Sequence, residues 1–153
     1  EDLMEFNYNR GGYTRGSGLN RGDCVPRAIT IATELPYQIV FDELQRRQTE
    51  WRIKSNSKKA YNKKPHRNKC YMGTYKEAYK PYLEELGWTW VPKMFIGQGF
   101  KTYLRKEDLP PGRLIVSVRR HLTSVIDGVL NDTWDCSQDG NKGVYGYYYK
   151  EEK

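Results

Sequence analysis

Three side chains in this sequence have the types and settings needed for nucleophilic acyl chemistry: Cys24, His121 and Asp132. Cys24 lies in Gly22-Asp23-Cys24-Val25-Pro26-Arg27-Ala28-Ile29-Thr30-Ile31-Ala32-Thr33, which reads as the start of a buried helix. Asp23 is a favourable N-cap, Pro26 is tolerated in the first turn, where its missing N–H has no partner to lose, and the residues from Ala28 onward supply an apolar body. A thiol at that position meets unpaired N–H groups and the positive end of the helix dipole, both of which favour the thiolate. Such a nucleophile needs a proton partner. The chain holds two histidines, His66 and His121, and His121 has the setting for it.

His121 begins a β-rich run that ends at Asp127-Gly128, the dipeptide most typical of a two-residue hairpin turn, and a second β-rich run follows. With Ile126 facing Val129, the register places Thr123 opposite Asp132 and His121 opposite Trp134. His121 and Asp132 then become diagonal neighbours on one face, within reach of a carboxylate–imidazole hydrogen bond. A slip of one residue presents Asn131 and Asp135 on that face instead, so Asp135 is the alternative third residue. Arg119 and Arg120, read as strand positions, face opposite sides. At most Arg119 then shares the His121 face, where it would meet an acidic substrate. Cys136 is a rival nucleophile, but it follows a strand and has no helix start.

These residues carry a resemblance. A Cys at a helix start, a later strand His and an acid in Asp132-Thr133-Trp134 resemble the papain-like cysteine peptidase superfamily. More closely, Gly22-Asp23-Cys24, Arg27-Ala28, Pro36-Tyr37, Gly87-Trp88, Leu109-Pro110-Pro111-Gly112-Arg113, His121 and Asp127-Gly128 resemble a group of small papain-like proteins of bacteria and phages. That likeness covers most of the chain from Gly22 onward; to the peptidases proper it covers the site motifs alone. It implies a Cys24-His121-Asp132 triad working through an acyl-enzyme, in a groove between a helical part and a sheet. The superfamily usually carries a Gln several residues before the Cys. None precedes Cys24 here, and the nearest amide is Asn20, the candidate oxyanion donor.

The 153 residues suffice for one domain with a single core, and a mean hydropathy of −0.89 implies a modest core and a generous surface. No apolar run is long enough to span a membrane, and the first residues lack the order of a secretion signal. The lack of an initial Met points to a trimmed start. Three cysteines, an odd number, suit a reducing compartment, and with the family likeness the expectation is the cytoplasm of a bacterium or phage-infected cell. The net charge of +7 is local: ten of the 26 Lys and Arg residues lie between Arg46 and Lys69, beside one acid, Glu50.

Residues 1–21, with scattered glycines and no periodicity, read as an extended arm. The first helix ends near Thr33, and Pro36-Tyr37 opens a second with Ile39, Val40 and Leu44 on one face. Residues 46–72 form a basic insertion, expected to be flexible. Its Lys58, Lys59, Lys63 and Lys64 either contact nucleic acid or an acidic protein or act as solvated charge. His66 and Cys70 lack the further ligands of a zinc site, and no metal or cofactor is expected. Thr74 and Glu77 have capping-box spacing ahead of a third helix ending at Gly87. Strands follow from Trp88 to the end. Helices first and strands later give an α+β fold, with N-terminal helices packed on a mostly antiparallel sheet. Two functional readings follow. One is a cysteine peptidase or amidase acting on a peptide or protein. The other is a catalytically inactive papain-like module that binds nucleic acid or an acidic partner through the basic segment.

Overall fold

The computed structural model describes residues 4–12, 23–54 and 74–151. Among these, the helices are α1 (Cys24–Thr33), α2 (Tyr37–Lys54) and α3 (Lys76–Glu85). The strands are β1 (Glu5–Tyr8), β2 (Thr89–Pro92), β3 (Arg113–Val118), β4 (His121–Ile126), β5 (Val129–Asp132) and β6 (Val144–Tyr149). They form one open sheet in the order β1-β5-β4-β3-β6-β2, antiparallel except for the β1–β5 pair. The fold is α+β, with helices packed on a mostly antiparallel sheet. No described helix is long and apolar enough to cross a membrane.

The strand period of two divides the core. Leu114, Val116 and Val118 of β3 join Val125, Leu130, Val144 and Cys136 in one cluster, while Ile115, Leu122 and Tyr148 join the helices in another. Covered on both faces, β3 reads as a nearly continuous apolar run, and β4 is buried from Leu122 to Val125 with Thr123 and Ser124 hydrogen-bonded inside. On α2 the buried stripe is Tyr37, Val40, Phe41, Leu44 and Gln48, spaced for one helical face. Ile39, expected on that face, falls outside the stripe and is 56 % exposed.

Three expectations change. Glu5–Tyr8, read as part of an arm, pairs with β5 as an edge strand; its four residues are all exposed, so no alternation of burial marks them in the sequence. The start of the expected insertion is helical, because α2 continues to Lys54 with Arg46 and Arg47 paired to Glu43, Glu50 and Glu85. The Thr74–Glu77 capping box does not form: Tyr75 is the N-cap, its amide donates to the buried Gln48 Oε1 at 2.7 Å, and the Thr74 hydroxyl has no partner. A long-range acceptor on α2 has displaced the local one. Asn20, Lys58, Lys59, Lys63, Lys64, His66 and Cys70 lie outside the described residues.

Two tight turns set the β3–β4–β5 meander. Asp127 and Gly128 both take positive φ (48° and 81°), as a type I′ turn requires, and Ile126 faces Val129 as the dipeptide implies. Val118 faces His121, so Arg119 and Arg120 form the other turn and are not strand residues. Close packing elsewhere depends on glycine. A Cβ on Gly146 of β6 would stand 2.5 Å from the Trp90 ring and 2.6 Å from the Val91 carbonyl. Gly146→Ala is expected to lower stability by about 1–3 kcal/mol, read from urea unfolding, because the neighbouring backbone must shift.

Candidate active site

Cys24 is the first residue of α1 and is half-buried. The first intrahelical bond runs from the Arg27 amide to the Asp23 carbonyl at 3.0 Å, so the amides of Cys24 and Val25 have no acceptor inside the helix. Asp23 occupies the N-cap position, but its carboxylate makes no capping bond. It turns inward instead, accepting from the Tyr37 hydroxyl at 3.0 Å and from the Arg27 guanidinium. Burial raises its pKa against the pull of Arg27 and Tyr37.

His121 and Asp132 stand at the same end of the β4–β5 hairpin, and His121 Nε2 lies 2.7 Å from Asp132 Oδ2. The same oxygen accepts from Thr123 Oγ1 at 2.6 Å. Oδ1 accepts from Arg27 Nη2 at 3.0 Å and from the Thr133 amide at 2.7 Å. Each carboxylate oxygen therefore holds two donors. Burial pushes the Asp132 pKa up, but His121, Arg27 and Thr123 together outweigh it and hold the group below the usual carboxylate value. Burial also disfavours charge on His121; the hydrogen bond to Asp132, with the neighbouring Cys136 and Cys24, overcomes that and pushes its pKa up to about 11. Trp134 packs across the imidazole with ring centroids 5.3 Å apart.

Cys24 and His121 line one cleft of about 460 Å³, together with Val25, Thr74, Lys76, Tyr79, Ser117, Arg120 and Tyr145. Tyr79 is pushed up to about 12, by burial first and then by the nearby Cys24, so its hydroxyl keeps its proton. The candidate residues separate clearly. Cys24 shares the cleft with His121, and His121 bonds Asp132. Asp135 does not join them: its Oδ1 accepts from the amide and hydroxyl of Ser137. Asn131 faces β1, where its Oδ1 accepts from Asn7 and Asn9, which settles the register in favour of Asp132.

Arg27, Thr123 and Trp134 are site residues that the sequence reading did not assign a role, and Cys136, read there as a rival nucleophile, stands beside His121 and Asp132. For Arg27 a signal existed, a cation four residues after Asp23 inside an otherwise apolar helix. Cys136 had no local signal, since only the return of the chain after β5 brings it to His121. Its sulfur can lie within 4.8 Å of the ligand atoms of His121 and Asp132. A metal bound there would have to displace one of the four donors on Asp132. Cys136 is fully buried, whereas Cys24 faces the cleft.

No protein-family model matches the chain, and comparisons with curated proteins and with solved structures find no match.

Arg27 is 3 % exposed and balances two buried carboxylates. Arg27→Met is expected to lower stability by about 3–5 kcal/mol in urea unfolding, with part recovered in Arg27→Met/Asp23→Asn, because an uncompensated buried charge costs more than a missing pair. The His121 shift has its own signature. Its folded pKa lies above the unfolded value of 6.5, so its contribution is complete below pH 6.5 and is lost as pH rises toward about 11. Unfolding free energy should fall across that interval in the parent protein and fall less in His121→Asn.

Proposed function

We propose that this protein is a cysteine hydrolase of papain-like design that cleaves an amide or thioester through a Cys24 acyl-enzyme. The observation that carries the reading is the 2.7 Å His121–Asp132 contact beside a cysteine at a helix start, in one cleft. An imidazole that retains its proton to about 11 supplies the counter-charge for a Cys24 thiolate. Asp132 fixes the ring orientation through Nε2 and stabilises the imidazolium, while Arg27 and Thr123 keep the carboxylate ionised and in place.

The thiolate attacks the carbonyl carbon, forming the S–C bond and moving the π electron pair onto oxygen. The Cys24 amide is a donor for that oxyanion, and the Tyr79 hydroxyl lines the same cleft. Collapse expels the amine or thiol, which takes the His121 proton. Water, deprotonated by His121, then attacks the thioester, releasing the carboxylic acid and restoring the thiolate. The α+β layout, with Cys24 on a helix and His121 and Asp132 on the sheet, is of the kind the family likeness implies. Lys58, Lys59, Lys63 and Lys64, on which the alternative binding role turns, lie outside the described residues.

Iodoacetamide is expected to alkylate Cys24 in preference to Cys136 near neutral pH, as located by peptide mass mapping. His121→Ala should slow that labelling by roughly tenfold or more, because the thiolate loses its counter-ion. Slow labelling that is indifferent to His121 would remove the hydrolase reading.

A further inference from the structure

The charged side chains that line the cleft without serving the His121 site are both cations; Glu77, next to Lys76, lines the neighbouring groove with Trp51 and Lys54. Arg120 is exposed, stands next to His121 in the β3–β4 turn and lines the cleft; Lys76, the exposed first residue of α3, lines it too. Among the described residues, neither Arg120 nor Lys76 makes a salt bridge, although Arg46, Arg47, Lys80 and Arg113 each find a carboxylate. No acidic residue is among the described residues lining this cleft. Asp132, the nearest carboxylate behind His121, is 1 % exposed and already holds four donors, so it cannot neutralise the mouth.

The backbone adds an independent observation. Arg120 has φ 57°, the left-handed region, at a turn position where Gly or Asn would sit without cost. The turn holds the arginine there at a local cost of order 1 kcal/mol, as it does Glu34, Asp127, Gln138 and Asp139 elsewhere, and of these five Arg120 alone lines the cleft. Ser117 and Thr74 add uncharged hydrogen-bonding groups to the lining of the same cleft, and the Thr74 hydroxyl has no partner.

We propose that Arg120 and Lys76 form an anion subsite that selects substrates carrying a carboxylate close to the scissile carbonyl, such as acidic peptides or amides of acidic amino acids. This rests on the hydrolase reading and names its substrate class. Arg120 takes the place the sequence suggested for Arg119, because the turn between β3 and β4 puts Arg120 at the cleft. A guanidinium and an ammonium lining a groove without acids raise the local concentration of anions and orient them toward Cys24.

Two reagents of similar size and different charge provide the test. In both, the Cys24 thiolate attacks the CH2 carbon, forming the S–CH2 bond as iodide leaves to solvent, but iodoacetate carries a carboxylate next to the reacting carbon where iodoacetamide carries a neutral amide. Second-order rates at Cys24 would be measured in the parent protein, in Arg120→Gln, Lys76→Gln and Arg120→Glu, and at low and high salt, with circular dichroism confirming the fold. Each neutral substitution is expected to lower the iodoacetate-to-iodoacetamide rate ratio by about threefold or more, the charge reversal further, and high salt should erase the differences. A ratio unchanged by all three substitutions, while His121→Ala still slows both reagents, overturns the anion subsite and leaves the hydrolase reading standing. A Cys24 that reacts slowly with both reagents, with no dependence on His121, overturns the hydrolase reading and the subsite with it.

Discussion

A single buried guanidinium ties the helical half of this protein to its sheet. Arg27 projects from α1 into the core, binds Asp23 one turn earlier and reaches Asp132 at the end of β5. Removing a cation and two carboxylates from water costs several kcal/mol per ion, and the arrangement persists only because nearly every lone pair is matched: Tyr37 donates to Asp23, and Thr123, His121 and the Thr133 amide donate to Asp132. Apolar contacts alone would allow α1 to slide or rotate on the sheet. The directional bonds of Arg27 restrict it, and with it the position of Cys24.

The same network sets the proton balance at the site. Asp132 is surrounded by donors, which lower its pKa; His121 is buried but hydrogen-bonded to that carboxylate, which raises its own. Desolvation acts against both charges, and in each case specific partners exceed it. The buried polar groups at this end of the hairpin form one connected set, from Tyr37 through Asp23, Arg27 and Asp132 to His121 and Thr123. Changing one member alters the charge balance of the others. Trp134 covers one side of the imidazole, limiting the access of water to the His121–Asp132 bond.

The structure reuses short-range chemistry for long-range ends. Asp23 and Thr74 are good N-capping types, yet neither side chain caps its helix. Asp23 is withdrawn into the ion network, and the start of α3 is held by Gln48 from a helix distant in sequence. In both cases a buried partner of opposite polarity displaces the local bond, because an unmatched charge or amide inside the core costs more than a cap contributes. The Arg119-Arg120 turn is another departure, with a cation in a left-handed conformation beside His121.

The sequence by itself determined the elements whose causes are local. The Asp127-Gly128 turn sets the β4–β5 register because two residues of positive φ admit few alternatives, and that register is what makes Asp132 the neighbour of His121. Apolar content around Cys24 marked a buried helix, and the switch from helical to strand patterning marked an α+β fold. Other features needed the tertiary structure. The exposed β1 strand carries no alternation of burial, since an edge strand is recognised by its partner. Ile39 was placed inward by composition, and the α2 stripe that excludes it is set by what the helix packs against. That Arg27 links two carboxylates, that Cys136 returns to His121 and that Arg120 opens onto the cleft are decided by contacts between residues far apart in the chain, where no local pattern specifies which partner a buried charge or thiol will find.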